Sequence, residues 1–170
     1  MSFALALTVG VLGCVVLAAV TFLLGRPRRV SHRVCTALGW LWVAGVVGLT
    51  FGTRSGGGQA VNLKLLDVSN PADTWDFFLN VLMFVPGGLL LASAGTRLAS
   101  AVACGFAGSL AIETTQYLTS SGRTADINDL LSNTAGCVVG YACAAALRAA
   151  VRRTAAATAT ATAAGPRLRA

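Results

Sequence analysis

Predominantly apolar stretches recur five times along the chain, at about 2–24, 34–51, 75–94, 98–118 and 127–147. Each approaches the ~20 helical residues that cross a hydrocarbon core. The separators are short and polar or glycine-marked: 25–33, 52–74, 95–97 and 119–126. The longest contains the run Gly56-Gly57-Gly58, a flexible punctuation. The pattern predicts an all-α fold, a polytopic membrane helix bundle with five transmembrane helices in a single domain over 1–153. Residues 154–170 are Ala/Thr-rich low complexity and are expected to form a disordered tail.

Composition agrees. The chain of 170 residues is 55% hydrophobic and only 11% charged, whereas a soluble domain is about a quarter charged. A water-soluble enzyme of this size would expose large apolar patches. The first span is expected to be retained rather than cleaved. It has no basic residue before it, and its basic cluster follows it. Cys14, Cys35, Cys104, Cys137 and Cys143 lie in apolar stretches without paired spacing, so they read as small hydrophobes rather than disulfides or metal ligands.

The net charge of +7 is explained by position. Arg26, Arg28, Arg29, Arg33, Arg97, Arg148, Arg152, Arg153, Arg167 and Arg169 fall on one side of the five spans, and only Arg54, Lys64 and Arg123 on the other. The positive-inside rule then expects the N-terminus outside and the C-terminus inside. No aromatic-interleaved basic face points to nucleic acid. Impermeant thiol labelling in a cysteine-free background checks this topology. Ser121→Cys should label in intact cells and Ala164→Cys should not; the reverse pattern would overturn the orientation.

Six polar residues interrupt the last three spans: Asp76 and Asn80, Glu113 and Gln116, Asp129 and Asn133. Arg123 and Asp126 immediately precede the fifth span. A charge near the membrane centre costs at least about 2.5 kcal/mol. The expected topology puts all eight roughly 0–10 Å below the outer interface. Asp76 and Asn80 share a helical face, as do Glu113 and Gln116. Asp126, Asp129, Asn133, Gly136 and Gly140 form one stripe whose Gly136-x3-Gly140 end suits close helix packing. Pro86 is expected to kink the third span near Leu82, with Gly87 and Gly88 allowing close approach. Polar groups in membrane helices also serve as interhelical glue. One arginine cannot neutralise three or four carboxylates, so surplus acid would be protonated, hydrated, metal-bound or engaged with a cationic ligand.

The pattern Asp76-x3-Asn80-x3-Phe84-x-Pro86-x-Gly88, then Glu113-x2-Gln116, then Arg123-x2-Asp126-x2-Asp129-x3-Asn133-x2-Gly136-x3-Gly140 resembles the VanZ-like family. The resemblance covers about 75–141, and the first two spans match only as hydrophobic helices. Asn128 stands where many relatives carry another acid. Members are small polytopic bacterial membrane proteins, and the founding member is linked to teicoplanin resistance. The resemblance implies a cell-envelope role in the bacterial cytoplasmic membrane, without an established reaction.

The leading expectation is an outward-facing polar cleft that binds or handles a membrane lipid, lipid-linked polymer or glycopeptide. Asp76, Asn80, Gln116, Arg123 and Asn133 would bind the ligand, while Pro86, Gly88, Gly136 and Gly140 pack helices. An intramembrane hydrolase or transferase is the alternative, with Glu113 as general base and Asp126 and Asp129 orienting substrate or a cation. A structural bundle without ligand is the third reading. No cofactor or metal site is read. The only histidine, His32, lies among the basic residues of the other side, which removes histidine chemistry from the polar cluster.

Overall fold

The structure is a computed structural model that describes residues 3–27, 29–52, 61–119 and 124–163. Five helices are each long and apolar enough to span a membrane. They are α1 (Phe3–Leu23), α2 (Val30–Gly52), α3 (Pro71–Ser93), α4 (Leu98–Thr119) and α5 (Ile127–Ala163). Two short strands interrupt the all-α pattern. β1 (Val61–Asn62) precedes α3, β2 (Ala125–Asp126) precedes α5, and they pair in parallel, Val61 with Ala125 and Asn62 with Asp126. The outer surface is what lipid requires: Leu12, Val15, Leu23, Leu82, Phe106 and Leu147 are all exposed large hydrophobics.

The ends of the helices follow local chemistry. Gly25 (φ 62°) and Gly95 (φ 82°) occupy the left-handed region just past α1 and α3. At each, two backwards amide bonds close the helix: Gly25 N–H to Phe22 O and Arg26 N–H to Thr21 O, then Gly95 N–H to Ala92 O and Thr96 N–H to Leu91 O. These are glycine-dependent C-terminal caps. α3 starts four residues before the expected span because Asn70 caps it and Pro71 takes its first turn. The Asn70 side chain accepts from Ala72 N–H at 3.1 Å. Just ahead, Ser69 hydroxyl and amide both donate to Asp67 and hold its carboxyl below the usual carboxylate range.

The stretch expected to be a disordered tail is helical as far as residue 163. α5 has 37 residues, so it runs about 55 Å, well past a membrane's thickness. Alanine is the best helix former, which carries the helix through residues 154–163. Thr154 and Thr158 donate their hydroxyls back to the carbonyls of Ala150 and Thr154. Residues 164–170 lie outside the described residues.

The most extensive pairing joins α3 to α5. A methyl at Gly136 would collide with Val81 O, one at Gly140 with Val85 O, and one at Gly88 with Cys137 O. The two backbones therefore touch at glycines contributed by both helices, the close approach the Gly136-x3-Gly140 stripe predicted. α3 remains helical across Pro86, whose side is exposed. Next to that position Trp42 of α2 docks. Its indole N–H donates to Met83 O at 2.9 Å, its ring meets Phe84 edge-on at 5.5 Å, and it covers Gly87. α1 packs on α2 through Gly10 against Ala44 and Gly48 against Ala6, with Trp40 donating to Val9 O. All the described cysteines are free, and of the five only Cys137 is buried.

Candidate functional site

The polar residues expected to share a cleft occupy one end of the bundle, where α2 and α4 end and α3 and α5 begin. They divide into two sets. Asp76, Asn80, Asp126 and Asp129 line a cavity of about 840 Å³. Glu113, Gln116 and Asn133 do not line it; they are buried behind its wall, in the seam between α4 and α5. Arg123 lies outside the described residues.

The seam is a chain of hydrogen bonds. Glu113 is 7% exposed, and its Oε2 accepts the Asp126 N–H at 2.8 Å. Asn133 Nδ2 donates to Ser109 Oγ at 2.9 Å, and Ser109 Oγ donates to Asp129 O at 3.3 Å. Ser132 also donates to Asp129 O. Gln116, one turn beyond Glu113, is 2% exposed. Buried polar groups are costly unless bonded, so this seam holds the start of α5 in one position. The carboxylates of Asp126 and Asp129 are thereby presented to the cavity from a braced backbone.

On the cavity side, Asn80 Nδ2 donates to Asp129 Oδ1 at 2.6 Å, tying α3 to α5. Asp126 is held at both oxygens. Oδ2 accepts from Asn62 Nδ2 at 2.8 Å, and Oδ1 from the amide and side chain of Asn128 at 2.8 and 2.9 Å. Asn128 also takes Leu66 N–H on its Oδ1 and donates to Lys64 O, both at 2.9 Å. The segment from β1 to Leu66 is thus folded over the start of α5 as a roof. Lys64, Leu65 and Leu66 from that roof join the cavity lining.

The remaining walls are mixed. Asp73 stands three residues before Asp76, and both are exposed. Leu49, Thr50, Phe77, Leu79, Leu82 and Met83 supply the apolar part. Among the described residues no three His, Cys, Asp or Glu side chains converge as metal ligands.

Several lining residues escaped the sequence reading. Asp73 was assigned to the preceding loop, although Asn70-Pro71 was a legible helix start. Asn62 and Lys64 had only polarity as a signal, and Asn128 only its place in the family pattern; what brings them together is a strand pairing between positions 64 apart in sequence.

A family model described as VanZ/LLP1 matches residues 11–148, most of the chain. The chain belongs to the VanZ/LLP1 family. No curated protein and no solved structure matches it. The VanZ/LLP1 match starts inside α1, so it takes in α2 and most of α1, beyond the three helices that carry the motif residues. In this VanZ/LLP1 chain the second helix has a place at the site: Leu49 and Thr50 of α2 line the cavity.

Proposed function

We propose that this protein binds the polar part of an amphiphilic cell-envelope component, a lipid, lipid-linked polymer or glycopeptide, in the cavity roofed by residues 61–66. The observation that carries the reading is the mixed lining of one cavity. Asp73, Asp76, Asp126 and Asp129 line it together with Leu49, Phe77, Leu82 and Met83. Its volume, about 840 Å³, is within the range of about 300–1,000 Å³ usual for small-molecule sites. Carboxylates and the Asn80 and Asn128 amides suit amine and hydroxyl groups of a sugar or peptide, and Lys64 suits a phosphate or carboxylate. Arg123, which precedes β2 in the sequence, is assigned to the same anion-binding role. The expected orientation opens the cavity to the outer face of a bacterial cytoplasmic membrane.

The VanZ-like resemblance, with its link to teicoplanin resistance, supports an envelope ligand. An enzymatic reading with Glu113 as general base has less support, because Glu113 sits behind the cavity wall against the Asp126 amide.

Mass spectrometry of amphiphiles that co-purify in mild detergent tests the proposal. Asp76→Asn and Asp129→Asn should each lower the retained envelope component about tenfold, equivalent to about 1.4 kcal/mol, and Asp76→Asn should leave thermal unfolding unchanged. Equal retention by wild type and both variants would sink it.

A further inference from the structure

A second cavity, of about 470 Å³, lies in the opposite half of the bundle, and the proposed ligand does not use it. It is bounded by α2, α3, α4 and α5, and its lining is mostly apolar: Trp42, Val43, Leu90, Leu91, Cys104 and Cys137 among others. Small residues make the space. Gly39, Gly87 and Gly105 all line it, and a Cβ at Gly39 would meet nothing within 4 Å. Trp42 stands between the two cavities, since Met83, whose carbonyl it binds, lines the polar one.

The length of this groove is informative. It follows α2 from His32 to Val43, about 16 Å at a helical rise of about 1.5 Å per residue. That is close to half of a hydrocarbon core about 30 Å thick, the depth of one leaflet's lipid tails. A polar metabolite would find almost no partners along it.

Charge identifies the other end of the occupant. The cavity reaches Pro27 and His32, within the stretch that also holds Arg26, Arg29 and Arg33. Arg33 Nε donates to Pro27 O at 2.7 Å and its guanidinium lies over the Phe22 ring at 5.3 Å, beside this mouth rather than in the lining. Between the lining residues Ala94 and Cys104 the chain carries Arg97 and no acid, although Arg97 itself is not part of the lining. Anionic headgroups are attracted to such clusters and zwitterionic ones are not.

We infer that this groove holds one tail of an anionic phospholipid drawn from the leaflet at the basic end, with its phosphate at Arg33 and His32. The site is independent of the polar cavity and of the function proposed for it.

Native mass spectrometry tests the inference on the full chain reconstituted with equal phosphatidylglycerol and phosphatidylcholine of identical tails. Wild type should retain one phosphatidylglycerol per chain, at least tenfold over phosphatidylcholine. Gly39→Leu, which fills open space, should abolish retention, and Gly45→Leu, also facing open space on α2 but outside the lining, should not. Arg33→Gln should bring the headgroup preference close to parity. Asp76→Asn should leave retention unchanged. Equal retention of the two lipids, persistence in Gly39→Leu, or loss in Asp76→Asn would each overturn the assignment. Should Gly39→Leu fail to accumulate, maleimide labelling of Cys104 in the wild type, mapped by peptide mass, decides the matter. Phosphatidylglycerol should slow it at least threefold relative to phosphatidylcholine, and equal rates would overturn the site.

Discussion

Gly140→Leu should prevent α3 and α5 from docking and should lower stability strongly, as should the same change at Gly88 or Gly136 in that contact. The reason is geometric. The first carbon of any side chain at Gly140 meets Val85 O and Leu89 N, which are backbone atoms of a helix interior and cannot swing aside. Overpacking a core costs about 1–3 kcal/mol when side chains can adjust; here two helix axes must separate, so the upper end of that range is the expected minimum. Gly108→Leu provides the control, because nothing lies within 4 Å of its added carbon. Thermal unfolding in detergent should show Gly140→Leu melting well below wild type, and Gly108→Leu unchanged. Equal melting of the two variants would contradict the seam.

Glu113→Ala should empty the polar cavity of its ligand, whereas Glu113→Gln should retain most binding. Glu113 holds the Asp126 N–H from a buried position, and Asp126 in turn anchors Asn62 and Asn128. Alanine leaves a buried amide without its acceptor, a loss of about 1–3 kcal/mol, and frees the roof above the site. Glutamine keeps an oxygen that can accept the same N–H. The two substitutions therefore separate a hydrogen-bond acceptor that positions Asp126 from a group that binds through its charge, for which glutamine would be as damaging as alanine. Hydrogen exchange supplies a readout independent of binding: the amides of Asp126 and Leu66 should exchange faster in Glu113→Ala and near the wild-type rate in Glu113→Gln. Loss of ligand in both variants with unchanged exchange would mean that Glu113 acts through its charge and not as the acceptor of the Asp126 amide.

Asn128 tests the same roof from its other side. Its amide group donates to Lys64 O and Asp126 Oδ1. Asn128→Asp would place a carboxylate against both acceptors, so the roof should loosen and Leu66 N–H exchange should rise. A protected Leu66 amide in that variant would mean the roof is held elsewhere.

Much of this molecule was readable in one dimension. Five apolar stretches and four separators locate the helices, because a membrane helix must satisfy its backbone internally and present apolar side chains along nearly its whole length. The packing stripe was also legible, since Gly136 and Gly140 recur at helical spacing and leave only hydrogen between two backbones. Helical spacing likewise grouped Asp76 with Asn80 and Asp129 with Asn133, because rotation per residue is a property of the helix itself. What periodicity could not say was which partner each group would meet. Glu113 and Asn133 turn to the α4–α5 seam, while Asp76 and Asp129 open to the cavity. That division depends on the rotation of each helix against its neighbours, which is decided by side-chain packing across the whole bundle. The roof was equally out of reach: β1 and β2 pair through main-chain groups that every residue possesses. Their meeting depends on where α3 and α5 begin in space, and only the tertiary structure brings Asn62 to Asp126.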